Sequence, residues 1–235
     1  MPKPLRGFAA AAAVVVVSLT ACRPPDPLDD SSWRLAFDIA DCAMTPTGHN
    51  DYLILEPGHQ LVLEGGNEKL VITVLDDTKE VDDVLTRVVE EREWRDGELI
   101  EVSRNFFAMC IATKDIFYFG EQVDDYRDGK IVSHAGAWLA GENGARAGMT
   151  MPGDPEVGER YFQEIAPDVA MDRAEVVSVD ERFQAPAGTF SDCLKTQEGT
   201  ALNPREKEFK VYAPGVGLLQ DGTMLLTEYG FVEAQ

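Results

Sequence analysis

Three groups of residues in this chain have types and spacings that suit chemistry. His134, Met149, Met151 and Met171 bring an imidazole and three thioethers into one stretch, a donor set that suits a soft ion such as copper(I). Asp124, Asp125 and Asp128 precede Gly129, with Glu121 close by, and calcium takes oxygen ligands of this kind from a loop. Asp154, Glu156 and Glu159 form a second acidic group. Each group also has a plainer reading. Met149 and Met151 flank a stretch rich in glycine and proline, where a flexible thioether fills irregular gaps in a core. Asp128-Gly129 is a turn signal. With 42 acidic residues against 21 basic ones, acidic clusters arise from composition alone. The chain has no tight Met-x-x-Met or His-x-His cluster and no EF-hand pattern.

Hydrolase chemistry finds no motif. There is no Gly-x-Ser-x-Gly elbow, no His-Glu-x-x-His pair and no phosphate-cradling Gly-Lys-Ser/Thr loop. Three histidines leave few general bases, and His49 and His59 fall at loop and turn positions. Carboxylate pairs for glycoside hydrolysis occur in any chain this acidic, so they carry no signal here. A formal net charge of −21 argues against nucleic acid and against adsorption to anionic lipid.

The clearest chemical position is Cys22. Lys3 and Arg6 precede a short apolar run, Phe8 to Leu19, and Leu19-Thr20-Ala21-Cys22 closes it. That run falls short of the roughly 20 apolar residues a membrane-spanning helix needs. Its basic start and small closing residues are those of a secretory signal. The Leu-Thr-Ala-Cys ending resembles the bacterial lipoprotein signal. The resemblance implies that residues 1–21 are a signal peptide and that Cys22 becomes an acylated N-terminus carrying palmitate-type chains. The partner so implied is the lipid membrane. Arg23-Pro24-Pro25-Asp26-Pro27 follows as a stiff spacer, and residues 22–45 read as acylated cysteine plus tether. Arg23 rather than aspartate resembles the sorting signal of enterobacterial lipoproteins bound for the outer membrane. The expected location is therefore the cell envelope, lipid-anchored in the outer membrane and facing the periplasm or cell surface. Beyond Cys22, three cysteines remain: Cys42, Cys110 and Cys193. They allow at most one internal disulfide, in a compartment that permits it.

The elements that would position these residues are short and β-rich. Gly65-Gly66, Asp96-Gly97, Asp128-Gly129, Pro214-Gly215 and Asp221-Gly222 mark turns between segments rich in Val, Ile, Phe, Tyr and Thr. Residues 61–64 and 70–75 flank one hairpin turn, and residues 85–94 and 99–107 flank a second. Residues 116–119 and 130–133 surround an acidic link, and residues 209–212, 216–219 and 224–229 follow one another across two turns. Val81, Val84, Leu85 and Val88 also fit a helical stripe, but their β-branched content favours a strand. Residues 135–158 carry six glycines and two prolines, which exclude a long element and suggest an ordered functional loop.

Two stretches resemble a family of uncharacterised bacterial secreted proteins and lipoproteins. One runs from Trp138-Leu139-Ala140-Gly141 to Tyr161-Phe162-Gln163-Glu164. The other joins Pro186-Ala187-Gly188-Thr189-Phe190 to Tyr212-Ala213-Pro214-Gly215-Val216-Gly217. The resemblance covers about residues 50–230 and implies a curved antiparallel sheet or open barrel in the envelope, with no activity or catalytic residue to carry over. The expected fold is all-β with few short helices, as one domain over residues 46–235. The expected function is non-enzymatic binding or scaffolding. Aromatics on several strands (Phe106, Phe107, Phe117, Tyr118, Phe119, Tyr161, Phe162, Phe209, Tyr212) suggest a cavity for an apolar ligand or a partner. The alternatives are a calcium- or copper-binding protein and a hydrolase without a recognisable motif. The ligand-binding residues are not identified at this level.

Overall fold

The computed structural model describes residues 32–233, so Cys22 and the apolar run before it lie outside the described residues. The fold is all-β, as the turn spacing predicts. One large antiparallel sheet curls into a nearly closed barrel.

Its long strands come in hairpins. β2 (His59–Gly65) and β3 (Glu68–Val81) flank the Gly66 turn. β4 (Val84–Arg95) and β5 (Glu98–Cys110) flank Asp96-Gly97. Both residues of that turn have positive φ, 54° and 80°, as a two-residue hairpin turn matching strand twist requires. β6 (Ile116–Arg127) continues through the acidic link as strand and meets β7 (Lys130–Ser133) across Asp128-Gly129. The β3–β4 turn is Asp82-Asp83, both left-handed at φ 49° and 61° without any glycine, which is why no turn is legible there.

The second half holds β12 (Asp172–Ala185), β13 (Gly188–Thr200), β14 (Glu208–Ala213), β15 (Gly217–Asp221) and β16 (Met224–Phe231). β16 pairs with β2, which joins the two halves into one sheet. The remaining strands are short: β1 (Met44–Thr45), β8 (Trp138–Leu139), β9 (Arg146–Met151), β10 (Arg160–Phe162) and β11 (Glu164–Ile165). They close the seam. β10 pairs with β12, and β11, only Gln163 further on, pairs with β9, which lies against β6. Residues 135–158 thus contain only two brief strands, in keeping with their glycines.

The segment before residue 46 packs on the barrel from Trp33 onward. Residue Arg34 bridges to Tyr161, β1 pairs with the end of β5, and Cys42 is disulfide-bonded to Cys110. Trp33, Leu35 and Phe37 cover a small second core of Phe162, Ile165, Met171 and Ala201, outside the closing strands. The range 22–45 expected for the tether therefore includes residues that belong to the folded body. Cys193 is free and buried. The main core includes Leu55, Leu63, Phe106, Phe119, Tyr161 and Leu226.

Candidate functional site

Alternation along a strand sends every second side chain to one face, and directly opposed residues on neighbouring strands share that face. The inward rows across the first half are Ile72–Glu91–Ser103 and Val74–Val89–Asn105–Glu121. Across the second half, Thr196, Lys210 and Asp221 form a row, with Glu198 one step further along β13. These rows enclose a cavity of about 270 Å³ inside the barrel, close to the ≈ 300 Å³ at which small-ligand pockets begin.

The cavity has two unlike walls. Leu61, Ile72, Val74, Val89 and Leu218 form an apolar one, with Tyr52-Leu53-Ile54 beside it. Glu91, Glu101, Glu121, Glu164, Asp172, Glu198 and Asp221 line the rest, with Ser103, Asn105 and Gln163 between them. Among the described residues Lys210 is the one lysine or arginine on the lining.

A bulge in β6 completes the acidic wall. Asn105 opposes Glu121 and Phe107 opposes Tyr118, so Phe119 and Gly120 together face Phe106 alone. Tyr118 and Glu121 consequently both turn inward. Gly120 has φ 125°, and a Cβ there would lie 2.3 Å from the Trp138 carbonyl oxygen. The Tyr118 hydroxyl donates to Asn105 Oδ1 at 2.5 Å, and Asn105 Nδ2 donates to Ser103 Oγ at 3.2 Å. On the far wall Glu198 Oε1 accepts from the Thr196 hydroxyl at 2.8 Å and from the Tyr212 hydroxyl at 3.0 Å. Lys210 Nζ lies 3.4 Å from Asp221 and 3.7 Å from both Glu198 and Glu208.

Enclosure shifts the ionisation of this wall. Loss of hydration pushes Glu91 up to about 8, against a partial opposing pull from Lys210. Burial first, then Glu93 and Asp125, push Glu101 up to about 7. Burial raises Glu121 to about 7, and the Tyr118 hydroxyl holds it from rising further. Glu164 is raised well above the usual carboxylate range by burial and by Asp172 and Glu121. Burial pulls Lys210 down, but Glu198, Asp221, Tyr212 and Glu208 outweigh it and hold the ammonium charged. Such a site can hold protons or a cation, because its carboxylates outnumber its ammonium groups.

The residues singled out in the sequence lie elsewhere. Asp124 faces outward, where its Oδ1 lies 3.0 Å from His134 Nδ1 and its Oδ2 lies 3.4 Å from Arg104. Arg104 also pairs with Glu90, and Glu90 with Arg92, so these residues form an outer ladder of alternating charge. Asp125 opposes Ser133 at the β6–β7 pairing, and Asp128 makes the turn. Met149 and Met151 are 0% and 1% exposed in the core, while the His134 side chain is 66% exposed, so the thioethers and the imidazole do not converge. Met171 sits in the second core. Asp154, Glu156 and Glu159 share one surface loop, with Glu159 3.7 Å from Arg34. Among the described residues no group of three or more His, Cys, Asp or Glu is arranged to hold a metal ion.

Of the aromatics expected to line a cavity, Phe107, Tyr118 and Tyr212 do so, whereas Phe106, Phe117, Phe119 and Tyr161 pack in the main core, Phe162 in the second core, and Phe209 is exposed. The carboxylate wall was not legible, because β4 reads Glu90-Glu91-Arg92-Glu93 with charge on both faces. The usable signal was Glu101-x-Ser103-x-Asn105, polar at every second position beside apolar Val102 and Phe106. No protein family, curated protein or solved structure matches the chain.

Proposed function

We propose that this chain is a non-enzymatic binding protein of the bacterial cell envelope, tethered by lipid on Cys22, that holds a small ligand inside its barrel. The observation that carries the reading is the cavity within the barrel, lined in part by apolar side chains and in part by carboxylates and hydrogen-bonding groups. Ligand sites combine an apolar lining with a few placed polar groups in this way. The tether is supported by the basic start, the short apolar run and the Leu-Thr-Ala-Cys ending. The Cys42–Cys110 disulfide supports an oxidising compartment beyond the inner membrane. The outer charge ladder of Glu90, Arg92, Arg104, Asp124 and His134 differs from the apolar band of a barrel that spans lipid.

The test is mass spectrometry on the full chain, expressed in a bacterium and extracted from its membranes in detergent. Under denaturing conditions the protein is expected to begin at an acylated Cys22. Under native conditions it is expected to carry a non-covalent passenger that denaturation releases. An uncleaved, unacylated chain would overturn the tether. A passenger-free protein, prepared under conditions that preserve its fold, would overturn the carrier.

A further inference from the structure

Resting on the binding role above, we propose that the ligand is a small organic cation of the alkylammonium or polyamine class. Its charged nitrogen faces Glu91, Glu121 and Glu164, and its hydrocarbon lies along Leu61, Ile72, Val74 and Val89.

Charge balance is the first argument. Seven carboxylates line the cavity against one lysine. Lys210 is already engaged, at 3.4 to 3.7 Å from Asp221, Glu198 and Glu208. No ion pair among the described residues reaches Glu91, Glu101, Glu121 or Glu164. These carboxylates are half-buried, and the hydration they lose is made up by a nearby cation or a proton. A cation from outside supplies that charge, whereas an anion aggravates the imbalance.

Neutral groups on the same lining give a second, independent argument. Gln163 is 8% exposed and His59 is 5% exposed, and both line the cavity. Among the described residues neither side chain has a hydrogen-bond partner, and the His59 ring meets Phe231 edge-on at 5.3 Å. Gln163 sits between β10 and β11, next to Glu164, and lines the cavity with it. Burial lowers the His59 value and leaves a neutral ring nitrogen able to accept. Polar side chains this little exposed usually find a hydrogen-bond partner, and two without one among the described residues, on the lining of a cavity, leave their open positions to an occupant.

The spread of the donors favours an organic cation over a bare metal ion. Calcium requires six to eight oxygens at 2.3–2.6 Å around one point, and the described residues offer no such convergence. An ammonium group hydrogen-bonds to spaced acceptors, and a chain of methylenes matches the apolar side chains that neighbour them in the same rows. A diamine or longer polyamine also reaches the Glu101 carboxylate with its second nitrogen.

Isothermal titration of the full chain in detergent micelles with hexylamine, 1,4-diaminobutane, spermidine, hexanoate and calcium chloride tests this. At pH 8 one-site, saturable binding is expected for at least one amine and none for hexanoate. Glu121→Gln and Glu164→Gln are each expected to weaken that amine at least tenfold. Glu90→Gln, on the outer ladder, is expected to leave it unchanged. Binding at pH 8 is expected to release protons, seen as a heat that varies with the buffer's ionisation enthalpy. Retained near-ultraviolet circular dichroism qualifies each variant as folded. Hexanoate or calcium saturating the cavity in place of the amines overturns the proposal, as do folded glutamine variants that bind like the parent. A neutral or anionic passenger found by native mass spectrometry overturns the cation and leaves the binding role standing. The absence of any passenger together with the absence of amine binding overturns both.

Discussion

Tyr118 and Glu121 stand three residues apart on one strand, yet both face the cavity, because the bulge at Phe119-Gly120 reverses the alternation between them. Without it Glu121 would point outward and the acidic wall would end at Glu101. The bulge depends on Gly120, whose φ of 125° is costly for any side chain and whose missing Cβ makes room for the Trp138 carbonyl. Gly120→Ala is therefore expected to cost about 3 kcal/mol or more, from backbone strain plus the clash. Gly66→Ala has φ 62° but open space around its Cβ, and is expected to cost about 1 kcal/mol. Urea denaturation of both variants checks the difference. Equal losses would remove the special role of the bulge.

The hairpins around Gly65-Gly66, Asp96-Gly97 and Asp221-Gly222 were legible because each turn carries residues that adopt positive φ. The strand reading of residues 84–89 also agrees with the structure, where β-branched side chains pack on a pleated surface. The long hairpin of β12 and β13 leaves no clear strand pattern in the sequence, because charge and polarity alternate irregularly there and three register shifts interrupt its ladder. The cavity was illegible for a different reason. An inward glutamate is indistinguishable from a solvated one until the sheet closes. In β4 both faces carry acids, with Glu90 paired to Arg92 outside and Glu91 enclosed within. The acidic residues that stood out in sequence, Asp124, Asp125 and Asp128, cluster along the chain but not around a common point.

Acidification should stabilise the unliganded protein. The folded chain holds Glu91 at about 8 and Glu101 and Glu121 at about 7, above the ordinary carboxylate value of 4.5. Between those limits the folded state binds more protons than the unfolded one, so stability present at pH 4.5 is lost as pH rises toward 8. His59 acts in the opposite sense, because burial lowers its value and folding is then penalised below about 6.5. One imidazole is outweighed by three carboxylates, and self-repulsion in a chain of net charge −21 adds to their effect. The melting temperature is expected to be on the order of 5 °C higher at pH 5 than at pH 8.5. A calorimetric scan that rises steadily with pH over that window would contradict the ionisation of this wall.

The Cys42–Cys110 bond ties the segment that covers the seam to the end of β5, across a sequence separation of 68. Cross-linking a loop of that length stabilises by about 4 kcal/mol, chiefly through the unfolded chain. Reduction, or Cys42→Ser, is expected to lower stability by about that amount in chemical denaturation. Cys193 is fully buried, so a thiol reagent added to the oxidised native protein should react with it only as fast as the fold opens. Rapid modification of one thiol before any reduction would show that this part of β13 is not closed as described.

Lys210 is the internal cation around which the second-half wall is built. Its ammonium lies within 3.7 Å of Glu198, Glu208 and Asp221, and Glu198 also accepts from Thr196 and Tyr212. Lys210→Met keeps much of the aliphatic volume and removes the charge, which leaves enclosed carboxylates without a counter-ion. With the Lys210 side chain 23% exposed, the cost is expected between the ~1 kcal/mol of an exposed pair and the ~3 kcal/mol of a buried one. The loss should depend on pH, because carboxylates deprived of their ammonium take up protons instead as the solution is acidified. Urea denaturation is therefore expected to show the full loss at pH 8 and a smaller one at pH 5. If an added amine occupies the emptied position, it should restore part of the pH 8 stability of Lys210→Met in proportion to its concentration. A variant equally weakened at both pH values, and unmoved by amines, would mean that Lys210 serves packing rather than the charge balance of the cavity.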